Sequence, residues 1–461
     1  LDGDMEVSGV SVDYLPPMPP VRNTEAYIKF DEKRFDIFIS KGDSEGLSVN
    51  EGTVFLTDLD KVDQYADIEL EIDGTFENQL AYLDHEPLGY SSIIGIDPKT
   101  TKGQAETRLK LNFIVEKALT LDQIEISATS KVLGLSAAKV VLGRDIDGGQ
   151  LDIRVNKKGM DITGSVNFGR IPTTLVWREN FGDKQAFRRR YDLQAKIADV
   201  GHLADMGLDL APFTGKFVRG SLDAGIRYTV IDDVARRLDI KTDITNAKFS
   251  APAFGWSKEP GIKGEVRIAM RFEGERIKDI PQFSLTTDDL KVIGQAQYDG
   301  KGGALRRIEF ERISFGRTDI KGALIAREEG GWDARFHGPS FDLSPLWEDI
   351  VHGSNDPSGD DATQLPYLTL AVELERVWVG PNQSLKNVSG TFAYKDEVWT
   401  TVLVNGEIGD NKPFELAIHP IPEGNRNFVM TSVDAGETLK ILGYYENMNG
   451  GKLEINAQYN D

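Results

Sequence analysis

The eight residues Glu265-Val-Arg-Ile-Ala-Met-Arg-Phe272 alternate between apolar and polar without a break. Successive side chains of an extended strand point to opposite faces, so this period places Val266, Ile268, Met270 and Phe272 on one side. Glu265, Arg267 and Arg271, with the small Ala269, fall on the other. A strand with one oily and one wet side belongs to a sheet that faces water on a single side. The same phrase recurs along the chain, for instance at Ala26, Ile28 and Phe30, at Leu109, Leu111 and Phe113, and at Leu222, Ala224, Ile226, Tyr228 and Val230.

Repetition on this scale limits the architecture to an all-β chain. Among 461 residues, 40% are hydrophobic and 46 are glycine, enough apolar material for extensive burial and enough turn residues for a meander. Helical spacing surfaces only briefly: Phe76, Leu80 and Leu83 predict a short helix after Gly74, and Asp199 to Leu208, Ser344 to Val351 and Ala435 to Leu442 predict three more. Leu15-Pro-Pro-Met-Pro-Pro20 marks an edge or a crossing loop, because proline cannot donate to a ladder. Gly353 to Asp361 contains no large apolar residue and is expected to be mobile.

The expected fold is thus an elongated, twisted antiparallel β-sheet of roughly 20 to 25 strands, curled into a groove and about 100 Å long at ~4.8 Å per strand. It would be built from degenerate strand-meander repeats, each opened by a helix. The expected divisions are a strand meander over 1–73, helix-plus-strand modules over 74–198 and 199–343, and a C-terminal module over 344–461. All four are expected to join in one continuous sheet.

The formal charge of −21, from 74 acidic against 53 basic residues, opposes binding to nucleic acid or to an anionic bilayer surface. Cysteine is absent, which excludes disulfides and thiolate metal sites. No run approaches the eighteen or so apolar residues that span a bilayer. The chain starts at Leu1 and ends almost on a strand, so it is read as a piece of something longer whose remaining part holds an anchor.

Motifs that carry chemistry are weak. His85, His202, His337, His352 and His419 are scattered without ligand spacing. Asp145-Ile-Asp-Gly-Gly149 lacks the later oxygen ligands of a calcium loop and is better read as a plain turn. Arg188-Arg-Arg190 could meet a lipid phosphate, though a short basic run usually makes a solvated edge. Nucleophile-elbow, phosphate-loop and dinucleotide signatures are missing. The expectation is no enzyme, no cofactor and no metal. Alternation by itself favours an ordinary packed core covered by a second sheet.

Two stretches add information. Leu119 to Ser130, continuing through Gly143 to Asp152 and Lys158 to Gly164, resembles the AsmA-like envelope proteins, particularly their large YhdP-type and TamB-related members. Ala435 to Gly443 through Asn449 to Ile455 is similar to their C-terminal pattern, in which a short helix leads to a Gly-Gly turn and a final strand.

The resemblance implies a periplasmic protein anchored in the inner membrane. Its apolar β-sheet groove would pass phospholipids toward the outer membrane, with an outer-membrane or periplasmic protein as partner. Because the family has no catalytic motif, groove residues are assigned from the alternation: Val266, Ile268, Met270, Phe272, Ile226, Tyr228, Leu151, Ile153, Met160, Ile162, Leu370, Val372, Leu453 and Ile455. Two rivals are a structural envelope scaffold with a closed core and a β-helix module that binds or cleaves polysaccharide. The latter would stack sugars on Trp177, Trp256, Trp332, Trp347, Trp378 and Trp399, which are spread through the chain.

Overall fold

A computed structural model describes residues 2–86, 88, 96–116, 119–120, 123–141, 143–182, 185–206, 217–251, 256–300, 303–345, 347, 367–395, 398–421 and 426–459. Twenty-five strands carry an open meander and three more form a small separate sheet. The chain divides into two compact units, residues 1–215 with 221–236, and residues 216–220 with 237–461.

The first unit begins with β1 (Gly3–Val12), β2 (Val21–Phe30), β3 (Arg34–Ser44), β4 (Leu47–Thr57) and β5 (Tyr65–Thr75). After helix α1 (Phe76–Asp84) follow β6 (Thr101–Ile114), β7 (Glu125–Val141), β8 (Arg144–Asn156), β9 (Gly159–Phe168), β10 (Ile171–Asn180) and β11 (Arg189–Ile197). A 3-10 turn at Val200–Met206 stands where a helix over 199–208 was expected; residues 207 and 208 lie outside the described part. Beyond β12 (Val218–Gly220), β13 (Leu222–Val230) pairs antiparallel with β11.

Each strand from β1 to β11 is antiparallel to the next, so every connection is a local return. Glu45 and Gly46 both take positive φ, 48° and 76°, the backbone that turns a two-residue hairpin with the strand twist.

Thr75 starts α1 by accepting a hydrogen bond from the Asn78 amide at 3.2 Å. Phe76 and Leu80 point into the sheet, whereas Leu83 is exposed. Gln79 fixes the helix by donating to the Ala105 carbonyl (3.1 Å) and accepting from the Thr107 hydroxyl (2.7 Å).

The second unit contains β12, β15 (Ala247–Ala251) and β16 (Trp256–Lys258) as its small sheet. Lys258 is 1% exposed there, and its ammonium donates to the carbonyls of Thr245, Ala247 and Glu259. β14 (Ala235–Asp243) straddles the division in the chain.

The large sheet of this unit starts with β17 (Gly264–Glu273), β18 (Arg276–Thr287), β19 (Leu290–Tyr298), β20 (Leu305–Phe315), β21 (Thr318–Ala326) and β22 (Trp332–Asp342). It continues through β23 (Leu368–Trp378), β24 (Ser384–Lys395), β25 (Val398–Ile408), β26 (Lys412–Pro420) and β27 (Arg426–Ser432). Helix α2 (Ala435–Ile441) and β28 (Leu453–Tyr459) end it.

Neighbours are antiparallel with one exception: β22 and β23 run parallel, Trp332 opposite Leu368 and Asp342 opposite Trp378. An all-antiparallel sheet was expected; the difference is that β23 starts beside the first residue of β22, Leu368 opposite Trp332. The expected helix over 344–351 falls mostly outside the described residues, and the acidic segment 353–361 falls there entirely.

Glycine shapes this sheet where a neighbour needs its space. A Cβ on Gly294 would stand 2.5 Å from the Phe283 ring, and one on Gly322 would stand 2.6 Å from the Phe336 ring and 2.1 Å from the Arg335 carbonyl. The aromatic rings therefore lie over backbone. Replacing Gly322 with valine should cost about 1–3 kcal/mol through overpacking. Gly300→Val, where nothing lies within 4 Å of a Cβ, should change stability by less than about 0.5 kcal/mol. Urea denaturation of the two variants checks this.

Candidate functional site

The register lines apolar residues up across strands. In the first unit Ile28, Ile37, Val54, Ile68, Leu111 and Ile126 stand opposite one another from β2 to β7. Farther on, Ile153, Ile162, Trp177, Tyr191 and Tyr228 form a row from β8 to β13, beside Leu151, Gly164, Leu175, Leu193 and Ile226. In the second unit Ile268, Phe283, Gly294, Phe310, Gly322 and Phe336 make one row from β17 to β22, extended by Val372 on β23. The row then runs through Gly390, Val404, Leu416, Met430 and Ile455 to β28.

The opposite face is wet and ion-paired. Lys110 meets Glu69 at 2.9 Å, Arg108 meets Glu71 and Arg178 meets Asp161 in the first unit. Arg271 meets Asp279 at 2.6 Å and Arg312 meets Asp319 at 3.0 Å in the second. Such exposed pairs are worth only about 0–1 kcal/mol each. Their effect is to keep this face in water.

The predicted groove residues share this apolar face but differ in cover. Leu151, Ile153, Met160 and Ile162 are buried in a closed core with Phe76, Leu80, Ile96, Trp177 and Leu193. The space left there is about 20 Å³, room for roughly one water. Ile226 and Tyr228 are half-buried at its margin.

Val266, Ile268, Met270 and Phe272 are all half-buried. The register with β18 slips on both sides of Arg271, so Met270 lies in a bulge and has no partner on β18. Leu370, Val372, Leu453 and Ile455 are also half-buried, with the last three packed against a second core around Leu374, Ile408, Phe414 and Ile441.

Two helices supply the cover that alternation could not reveal, α1 over the first core and α2 over the second. Asp434 caps α2 by accepting from the Glu437 amide at 3.0 Å, and Lys412 donates to the same carboxylate at 2.6 Å. Gly450 and Gly451, both at positive φ, turn the chain so that their carbonyls accept the amides of Gly436 and Ala435. The indole of Trp347 donates to the Leu442 carbonyl at 3.1 Å beside it.

Polar groups on the apolar face are few. The most buried carboxylate among the described residues is Glu179, 3% exposed, in phase with Thr173, Leu175 and Trp177 on β10. Its carboxylate accepts from the Trp177 indole (3.1 Å) and from two nitrogens of Arg189 (2.5 and 3.1 Å). Arg188 and Arg190 instead pair with Asp233 (2.6 Å) and Asp192 (3.2 Å), so only the middle member of the basic run turns inward. Sequence reasoning treated the run as one solvated edge. The signal it overlooked is phase, because Arg189 precedes Tyr191 and Leu193 by two and four residues.

Asp145 accepts from the Lys139 amide at 2.9 Å, as a turn residue does. Among the described residues the tryptophans do not gather: Trp177 is core, and Trp399 packs edge-on to Tyr394 and Phe392.

A family model described as YhdP protein matches residues 1–409. The chain belongs to the YhdP protein family. That places it among AsmA-like envelope proteins, and the match includes the stretch from Leu119 to Gly164 that carried the likeness. The α2, Gly-Gly and β28 arrangement lies beyond the matched residues. No curated protein matches the chain. Among the described residues no helix is long and apolar enough to cross a membrane.

The cap of α2 titrates. The Glu437 amide, then Lys412, hold the Asp434 carboxyl below its usual range. A depressed carboxyl contributes stability that is complete above its unfolded pKa of about 3.9 and is lost as pH falls through the lower folded value. Amide exchange at Glu437 should therefore accelerate as pH drops below about 4, after correction for intrinsic rates. In Asp434→Ala it should be fast throughout.

Proposed function

We propose that this chain is a segment of a bridge-like phospholipid conduit, carrying acyl chains along the apolar face of its sheet between the inner and outer membranes. In this reading it is a carrier and not an enzyme. It works in the periplasm, is held at the inner membrane by a segment outside this sequence, and hands lipid to an outer-membrane or periplasmic protein.

The observation that carries the proposal is the row Ile268, Phe283, Phe310 and Phe336. It is apolar across successive strands yet only half-buried, with ion-paired strands behind it. Each methylene leaving water for such a surface gains roughly 0.8 kcal/mol. Because neighbouring steps of the row are chemically alike, the gain changes little from one strand to the next and a chain can slide without a deep trap. Family membership agrees with work in the envelope. A scaffold with a closed core is favoured by one observation, the packed core under α1.

Charge insertion separates the two. An unpaired carboxylate in an apolar channel costs several kcal/mol, and each 1.4 kcal/mol is tenfold. Ile268→Asp and Met270→Asp should therefore lower photo-crosslinking to phospholipid at least about tenfold while circular dichroism stays native. Arg267→Asp, on the wet face, should crosslink normally. Folded Ile268→Asp that crosslinks at the wild-type level would sink the conduit reading, and collapse of both apolar-face variants into unfolded protein would favour the scaffold.

A further inference from the structure

The ion pair between Glu179 and Arg189 interrupts a face that is otherwise apolar. It occupies the register row Val155, Met160, Glu179, Arg189 and Val230, next to the row that holds Trp177, Tyr191 and Tyr228. Stability is a poor reason for it. Taking two charges out of water offsets most of their attraction, and apolar residues of similar volume commonly replace a buried pair without loss.

Its surroundings are those of a recognition site. The Arg189 guanidinium lies 5.6 Å from the Trp177 ring, two residues before Tyr191 on the same face of β11. The Tyr191 ring is 5.0 Å from Trp177 and stacks on Tyr228 at 6.4 Å. Burial pushes the Tyr191 hydroxyl up to about 12, so it stays protonated at neutral pH. Arg189 keeps 22% of its side chain exposed and Tyr228 is half-buried, which makes these two the accessible rim over the buried Glu179.

We infer that this cluster is a head-group site for zwitterionic phospholipid. The phosphodiester meets the Arg189 guanidinium at the rim, and the ammonium lies on the half-buried Tyr228 ring, with the buried Glu179 carboxylate supplying negative charge from beneath. Guanidinium matches phosphate through its planar donors, and a cation is attracted to both carboxylate and ring faces. A site with one charge of each sign discriminates against a head group with a net negative charge, because the carboxylate repels it and no ammonium offsets that repulsion. The inference rests on the lipid reading above and adds to it which lipid is taken and where its polar end sits.

The test uses the full chain and dihexanoyl lipids below their micelle concentration, phosphatidylcholine as the zwitterion and phosphatidylglycerol as the anion, with binding read by native mass spectrometry. Wild type should prefer the zwitterion at least about fivefold. Glu179→Gln, which leaves the guanidinium without its counter-charge, should reverse that preference. The paired change Glu179→Leu with Arg189→Met keeps the volume, should remain folded, and should bind both lipids equally. If Glu179→Gln does not fold, the paired variant decides. Wild type binding both lipids equally, or the paired variant keeping the wild-type preference, would overturn the head-group site and leave the conduit standing. Wild type binding neither lipid would overturn both.

Discussion

Cross-strand register is the constraint on which everything else in this protein depends. Side chains alternate with a period of two, so a slip of one residue between neighbouring strands would turn an entire apolar row toward the ion-paired side. The rows in both units hold for many strands because bulges absorb local irregularity, as around Arg271 and between Phe310 and Ile313, and pairing then resumes in phase. Acid and base on the far face contribute little energy individually. Collectively they make the inverted register costly, since burying them unpaired would desolvate charge.

Much of this was legible in the amino-acid sequence, and for a physical reason. Alternation is a local property, so Val266 and Ile268, or Leu109 and Leu111, reveal their side of a strand without knowledge of what lies above them. Helix α1 could be read from the helical spacing of Phe76 and Leu80 after Gly74, with Thr75 as its cap. What remained hidden depends on partners distant in sequence. Leu151 and Val266 carry the same pattern, yet one is sealed by α1 and Ile96 while the other stays half-open. The parallel pairing of β22 with β23 was equally invisible, because Phe336 and Val372 alternate as they would in any strand.

Cover, then, divides the candidate residues more sharply than identity does. In the first unit the core that Ile146, Leu151, Ile153, Ile162, Leu175 and Trp177 form with Phe76 and Ile96 leaves about 20 Å³, room for roughly one water. Along the row from β17 to β22, Ile268, Phe283 and Phe310 stay half-buried, and Phe336 packs at the margin of the second core. The Phe283 and Phe336 rings lie over Gly294 and Gly322, and Phe310 stands edge-on to Phe283 between them. A surface of this kind keeps much of its hydrophobic free energy in reserve for a ligand.

The parallel pair bears on how the second unit assembles. From β17 to β22 every contact can form by zipping one hairpin onto the last, a sequence of cheap local loop closures. β23 cannot join by a hairpin, because in a parallel pair its first residue, Leu368, lies opposite Trp332, at the far end of a strand roughly 35 Å long. From β24 onward the closures are local again. The unit thus contains two runs of local pairings joined by one non-local pairing. A nascent chain in which β17 to β22 had already zipped would hold the edge of β22 open until that pairing formed.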